Sequence, residues 1–337
     1  MMSSPEFDLI QRFFTEQTVR RSDVILGIGD DAALLSPPAG ASLVVSTDTL
    51  IAGVHFPVDT DAYAVGYKTL AVNLSDMAAM GAEPAWISLA ISLPEKDDVW
   101  LAAFSRGLFT LATESGVQLI GGDTTRGPLC MSVQIMGFVP EGQALRRSGA
   151  QVGDGVFVTG TIGDAGLGLL FKQGLKQGLK QELQEALQAD IGDLSHRLIQ
   201  RLEYPTPRIA AGLALRGLAT SAIDVSDGLA ADLGHVLAAS AVGANIEIDR
   251  LPLSDAFRTV ATPDDWQRAV SAGDDYELCF TAPMAQEATI LERLRAVDCP
   301  CVRIGEITIQ PGLRWYDAGH NEQPISHAGF DHFQRGV

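Results

Sequence analysis

Six short acidic motifs, spread along the whole chain, constrain its fold more than any other feature. In order they are Gly27-Ile28-Gly29-Asp30-Asp31, Ser46-Thr47-Asp48-Thr49, Asn73-Leu74-Ser75-Asp76, Gly121-Gly122-Asp123-Thr124-Thr125, Asp224-Val225-Ser226-Asp227-Gly228 and Gly273-Asp274-Asp275-Tyr276-Glu277. Several follow a β-branched apolar run and end in glycine or hydroxyl residues, the pattern of a strand giving way to a loop. Carboxylates gathered at strand ends repel one another. Two such charges about 4 Å apart cost roughly 4 kcal/mol at an effective dielectric near 20. The motifs therefore either stay apart on the surface or gather around cations, and oxygen-rich loops suit hard cations, Mg²⁺ above all.

The segments between the motifs alternate in type. Helices are expected at Phe7 to Thr15, Tyr63 to Met80, Val99 to Ser115 and Leu229 to Ser240. Strands are expected at Leu43 to Ser46, Trp86 to Leu93, Val117 to Ile120, Met131 to Val139, Val156 to Thr159, Ala222 to Val225, Ala244 to Ile248 and Glu277 to Thr281. Gly160 to Gly168 reads as a turn ahead of a further helix, in which Leu175, Leu179, Leu183 and Leu187 recur as an amphipathic surface repeat. This alternation places the fold in the α/β or α+β class. At 337 residues the chain has room for two domains. The glycine-rich turn between Gly149 and Gly155 divides it into residues 1–149 and 150–337. Each half carries acidic motifs at strand ends, which points to a ligand in the cleft between them.

A formal net charge of −18 excludes a general nucleic-acid binder, which needs clustered Lys and Arg. It leaves room for a phosphate-bearing small ligand held through metal ions. No run approaches the roughly 20 apolar residues that span a bilayer. The first residues carry Glu6 and Asp8 and no basic segment ahead of an apolar one, so no secretory signal is read. Four irregularly spaced cysteines fit reduced thiols in a cytoplasmic protein.

Common nucleotide and hydrolase signatures are missing. Gly160-Thr161-Ile162-Gly163-Asp164-Ala165-Gly166 departs from G-x-G-x-x-G in its first spacing, and neither a Walker A run nor a G-x-S-x-G elbow occurs. Ser46, Thr47 and Ser226 offer neutral oxygens beside carboxylates, as Mg²⁺ and phosphate sites require. Arg147 is a candidate phosphate clamp, since a guanidinium can bind phosphate oxygens in a bidentate manner. His55 follows Asp48 by seven residues.

Taken together and in this order, the motifs resemble the thiamine-monophosphate kinase family. The stretches that carry the likeness are Gly27 to Ala33, Ser46 to Thr49 with His55-Phe56, Ala71 to Ala82, Gly121 to Thr125, Ile223 to Leu229 and Asp275 to Leu278. The likeness runs from about Phe7 to Phe333. It implies an aminoimidazole ribonucleotide synthetase-like architecture, with an N-terminal mixed sheet that dimerises and a C-terminal α/β domain that completes the site. It implies Mg²⁺-assisted transfer of a phosphoryl group from ATP to thiamine monophosphate. On the resemblance, Asp31, Ser46, Thr47, Asp48, Asp76, Asp123, Asp224 and Asp227 would hold Mg²⁺. Gly122, Asp123, Arg147 and Ser226 would contact ATP, His55, Asp274 and Phe330 would contact thiamine monophosphate, and Asp48, Asp123 and Arg147 would carry catalysis. Two positions depart from the family pattern: Asp274 stands where Glu is usual, and Phe330 where Tyr or Trp is frequent. A sister ATP-dependent enzyme with another acceptor, or a non-catalytic nucleotide-binding protein, remain as alternatives. Selenophosphate synthetase would need a reactive Cys or selenocysteine near its N-terminus, and the hydrogenase-maturation protein a cysteine-bearing tail.

Overall fold

Alternation of large apolar residues with small ones (Ser88, Ala90, Ser92) along Ile87 to Leu93 demands a sheet with one face covered and the other open. The computed structural model, which describes residues 5–174, 191–262, 265–326 and 329–330, contains that sheet. The chain divides into two compact units, Met1–Met77 with Ala82–Gly142, and Ala78–Gly81 with Gln143–Val337.

The first unit opens with helix α1 (Pro5–Ile10), which continues as a π-helical turn to Thr15. Two short strands follow, β1 (Val24–Leu26) and β2 (Leu34–Leu35), paired antiparallel around the Gly27–Asp31 loop. The main sheet has the order β3-β6-β4-β5, from β3 (Ala41–Ile51), β4 (Glu83–Leu93), β5 (Gln118–Arg126) and β6 (Cys130–Pro140). Only β4 and β5 run parallel. Ile87, Leu89, Ile91, Met131, Val133 and Ile135 are buried. Helices α2 (Ala62–Ala79) and α3 (Asp98–Glu114) supply the apolar side chains for that face. A Cβ on Gly66 would stand 2.0 Å from the Phe104 carbonyl oxygen, and one on Gly107 2.0 Å from that of Tyr63, so the two helices cross backbone to backbone where only glycine fits. On β3, Leu43, Val45, Thr47, Thr49 and Ile51 alternate onto the opposite, exposed face.

Two motifs expected in loops are strand. Ser46-Thr47-Asp48-Thr49 lies inside β3, and Gly121-Gly122-Asp123-Thr124-Thr125 lies inside β5, which runs six residues past its expected end at Ile120. The reason is pairing. The β3–β6 ladder continues unbroken from Ala41↔Pro140 to Ile51↔Cys130, and threonine is at home on a pleated surface. In β5 the glycines mark an irregularity rather than an end: Ile87 pairs with Leu119 and Ser88 with Gly121, leaving Ile120 as the extra residue of a bulge.

The second unit holds a seven-stranded sheet in the order β13-β12-β9-β11-β7-β10-β8. Its strands are β7 (Asp154–Thr159), β8 (Ser221–Asp224), β9 (Gly243–Glu247), β10 (Leu278–Pro283), β11 (Cys301–Thr308), β12 (Gly312–Tyr316) and β13 (Glu322–Gln323). All neighbours are antiparallel except β9 and β12. Phe157 of β7 and Phe280 of β10 stack at 5.2 Å between ring centroids. Helix Leu229–Ser240 has the expected bounds. Helix α4 (Asp164–Lys172) begins inside the segment expected as turn, because Gly166 and Gly168 serve packing: a Cβ there would stand 2.3 Å from the Ala272 Cβ or the Leu198 carbonyl. The leucine repeat at Leu175 to Leu187 lies outside the described residues. Among the described residues no helix is long and apolar enough to cross a membrane.

Candidate active site

In the first unit, the Gly27–Asp31 loop and the glycine bulge of β5 face each other across a cavity of about 810 Å³. Asp31, Gly121, Gly122 and Asp123 line it, with Ser88 and Gln134 from the neighbouring strands. Gly122 can be nothing larger, since a Cβ would stand 1.9 Å from the Leu89 carbonyl oxygen. The Asp30 carboxylate accepts the Asp31 N–H at 2.8 Å and shapes the loop. Asp23 anchors the segment ahead of β1: it accepts from Trp86 Nε1 at 2.9 Å and from Arg21, whose guanidinium holds its carboxyl below the usual range.

A second group forms where β3 meets α2. Ser46 Oγ donates to Asp76 Oδ2, and the Asp48 N–H donates to Asn73 Oδ1 at 3.3 Å. Asn73, fully buried, in turn donates to the Thr69 carbonyl at 3.0 Å. The helical spacing of Asn73 and Asp76 thus delivers two oxygen-bearing side chains to one strand. His55 Nδ1 accepts the Ile51 N–H at 3.0 Å, so the neutral ring carries its proton on Nε2. β3 and β5 are opposite edges of the four-stranded sheet. Asp48 and Asp123 therefore stand three strand spacings apart, about 14 Å. Among the described residues, no three His, Cys, Asp or Glu side chains stand together as a metal-holding group. The donor chemistry still fits a hard cation: Ser46 pairs with Asp76 beside β3, and on β5 Asp123 is followed by Thr124 and Thr125.

In the second unit, the Asp224–Gly228 loop is tied on every side. Val225 N–H donates to the Glu277 carbonyl, Tyr276 N–H to the Val225 carbonyl and Asp274 N–H to the Ser226 carbonyl, each at 2.8 Å. Phe330 N–H donates to the Asp227 carbonyl at 3.0 Å. Asp224, Ser226, Asp227, Asp274 and Phe330, predicted from two distant motifs and the C-terminus, are thus brought into one cluster. Arg147 also belongs to this unit: it is exposed, and its carbonyl accepts from Ser240 Oγ at 3.4 Å.

Sequence reasoning missed the residue that organises this loop. Asp232 Oδ2 accepts the N–H groups of Ser226, Asp227 and Gly228 at 3.0, 3.1 and 3.1 Å. It is 2% exposed. Burial, then the neighbouring charges of Asp224 and Asp227, push its pKa up to about 8. The available signal was an acidic residue in the first turn of a helix, a position where carboxylates cap free N–H groups. Glu277 was noted without a role. Fully buried, it is held by Arg201 at 3.0 Å, by Arg208 twice at 2.6 Å and by Thr159 Oγ1 at 2.8 Å. Asp275 takes the Gly163 N–H on both oxygens at 2.9 Å, and burial raises its pKa well above the carboxylate range.

The AIR synthase related protein N-terminal domain matches residues 29–139, and the corresponding C-terminal domain matches residues 151–317. Thiamine-monophosphate kinase of Escherichia coli strain K12 is 49% identical over 336 residues, covering 98% of this chain and 99% of that protein. The Salmonella typhimurium enzyme is 47% identical with the same coverage. This chain belongs to the thiamine-monophosphate kinase family. The crystal structure of the thiamine-monophosphate kinase from Stenotrophomonas maltophilia K279a superposes with a TM-score of 0.80 at 50% identity, covering 88% of this chain and 92% of that one. The AaThiL complex with AMPPCP and TMP superposes at 0.73 with 30% identity, covering 91% and 92%. Escherichia coli HypE, at 19% identity and a TM-score of 0.74 over 95% of this chain and 96% of that one, shares the fold. The family's two domain matches contain all six acidic motifs except Gly27 and Ile28, whereas Arg147 and Phe330 fall outside them.

Proposed function

We propose that the chain transfers the γ-phosphoryl group of ATP to thiamine monophosphate, giving ADP and thiamine diphosphate. The observation that carries this reading is identity of 47–49% to thiamine-monophosphate kinases over essentially the whole length of both chains. A related chain solved with AMPPCP and TMP supports both substrates.

The chemistry suits the residues. The nucleophile is a phosphate oxygen of thiamine monophosphate, mostly a dianion near pH 7 because its second pKa is about 6. It needs no general base. The difficulty is the mutual repulsion of two anions. Mg²⁺ held among the carboxylates would supply positive charge to offset that repulsion during in-line displacement. Several Mg²⁺ ions would be held, by Asp31, Ser46, Thr47, Asp48, Asp76 and Asp123 in the first unit and by Asp224 and Asp227 in the second. Gly122, Asp123, Arg147 and Ser226 would contact ATP, with Asp48, Asp123 and Arg147 closest to the chemistry. His55, Asp274 and Phe330 would receive thiamine monophosphate. Transfer is direct, so labelled ATP leaves no phosphorylated protein.

The working molecule in this reading is a cytoplasmic homodimer, with residues 1–149 binding ATP and metal and residues 150–337 completing the site. Two features support pairing. Leu43 and Val45 lie half exposed on the open face of β3. The 14 Å or so between Asp48 and Asp123 within one sheet leaves them apart, whereas a second copy placing its β3 edge beside β5 would bring that copy's Asp48 nearer to Asp123. The test is ADP release by the purified chain with ATP and Mg²⁺. Release that requires thiamine monophosphate supports the kinase. Nucleotide binding without such release would make the chain a binder and sink the reading.

A further inference from the structure

The Gly273–Glu277 segment departs from strand geometry. Gly273, Asp274 and Tyr276 have φ of +73°, +63° and +50°, the left-handed region that a bulky aromatic rarely enters. Such backbone persists only where its surroundings over-determine it, and it concentrates at functional sites. Here the surroundings are explicit. Asp274 and Tyr276 donate their N–H groups to the Ser226 and Val225 carbonyls, and the Asp275 carboxylate grips the Gly163 N–H with both oxygens. A Cβ on Gly273 would stand 2.4 Å from the Ser226 carbonyl oxygen, so the chain cannot relax there.

The curl has one chemical consequence. It turns the phenol of Tyr276, only 8% exposed, back toward the side chain two residues before it, where the hydroxyl donates to Asp274 Oδ1 at 3.2 Å. Asp274 is half-buried, and its carboxylate is one methylene shorter than the usual Glu, so its reach depends on a fixed orientation. We propose that Tyr276 is a positioning residue for substrate recognition, its hydroxyl fixing the Asp274 carboxylate toward the cationic, amine-bearing thiamine portion of thiamine monophosphate. This rests on the kinase reading above and on Asp274 as a substrate contact.

The test is Tyr276→Phe, which keeps the ring and removes only the donor, measured beside Asp274→Asn and the double variant. Steady-state kinetics are taken with each substrate varied in turn, together with melting temperature. A hydrogen bond to a charged group typically contributes enough to change affinity about tenfold or more. The expected result is a KM for thiamine monophosphate raised about tenfold in Tyr276→Phe, with KM for ATP within about twofold and the melting temperature unchanged. In the Asp274→Asn background the second substitution adds nothing, because the two residues act through one bond. An unchanged KM for thiamine monophosphate, equal rises in both KM values, additive effects or a collapsed melting temperature would each overturn the proposal. Wild-type protein without thiamine-monophosphate-dependent ADP release removes the kinase reading and this proposal with it. Release by the wild type with Asp274→Asn unaffected removes only the proposal.

Discussion

Replacing Asp232 by Ala takes one acceptor from three donors at once. Its Oδ2 is the recorded partner of the Ser226, Asp227 and Gly228 N–H groups at the entry to helix Leu229–Ser240. With its pKa pushed up to about 8, the carboxyl carries its proton most of the time near pH 7, so these bonds count as neutral ones. At about 1 kcal/mol each, the loss sums to about 3 kcal/mol. No buried charge is relieved in exchange, because the carboxyl is already mostly uncharged at that pH. At about 2–4 °C per kcal/mol for a unit of this size, the melting temperature falls by roughly 6–12 °C. Asp232→Asn keeps a carbonyl oxygen in place and should lie within about 1 kcal/mol of wild type. Thermal melts of the three proteins, followed by circular dichroism near pH 7, make the comparison. An Ala variant melting within about 2 °C of wild type, or an Asn variant melting as low as Ala, refutes the acceptor argument.

Glu277→Gln removes the charge on which Arg201 and Arg208 converge in a fully buried position; breaking such a pair costs about 3–5 kcal/mol, and a melting temperature or soluble yield equal to wild type would contradict the role given to the network. Gly122→Ala forces β5 away from the Leu89 carbonyl, so ATP binding, followed by nucleotide-dependent thermal shift, should be lost; a full shift would show the bulge can absorb a side chain. Saturating Mg²⁺ with ATP should stabilise the wild type by about 2.7 kcal/mol at 100 times the dissociation constant, and an unmoved melting curve would count against the site. Asp48→Asn should end turnover while the protein stays folded; retained activity removes Asp48 from the metal shell.

The fold was legible where local pattern and packing agree. Helix Leu229–Ser240 matches its expected bounds, and α2 and α3 match within one residue, because apolar periodicity ends at glycine: Gly81 and Gly116 both take positive φ. It was illegible where pairing overrode turn chemistry. Asp-Thr and Gly-Gly-Asp read locally as loop, yet a long antiparallel ladder and a bulge keep both extended. The Asp224 and Gly273 motifs were visible as acidic loops, but their mutual tie was not. It depends on carbonyls of Val225 and Ser226 meeting N–H groups about fifty residues away, which no spacing rule reports.

The motifs also mixed two kinds of carboxylate that composition cannot separate. Glu277 is neutralised by two guanidinium groups and Asp275 is spent on Gly163, as Asp232, outside the motifs, is on three backbone donors. These acids build the second unit, and Glu277 and Asp275 have both oxygens engaged by its own donors. Asp31 and Asp123, by contrast, are exposed on the walls of one cavity. Repulsion among acids is thus answered in two ways within one chain. Where the acid is structural, the fold supplies its own donors, and the group is buried. Where the acid lines the open cavity, as Asp31 and Asp123 do, it faces solvent and is free to meet a cation from solution. That difference, rather than the number of acidic motifs, is what supports the proposal that divalent cations bind in the first unit.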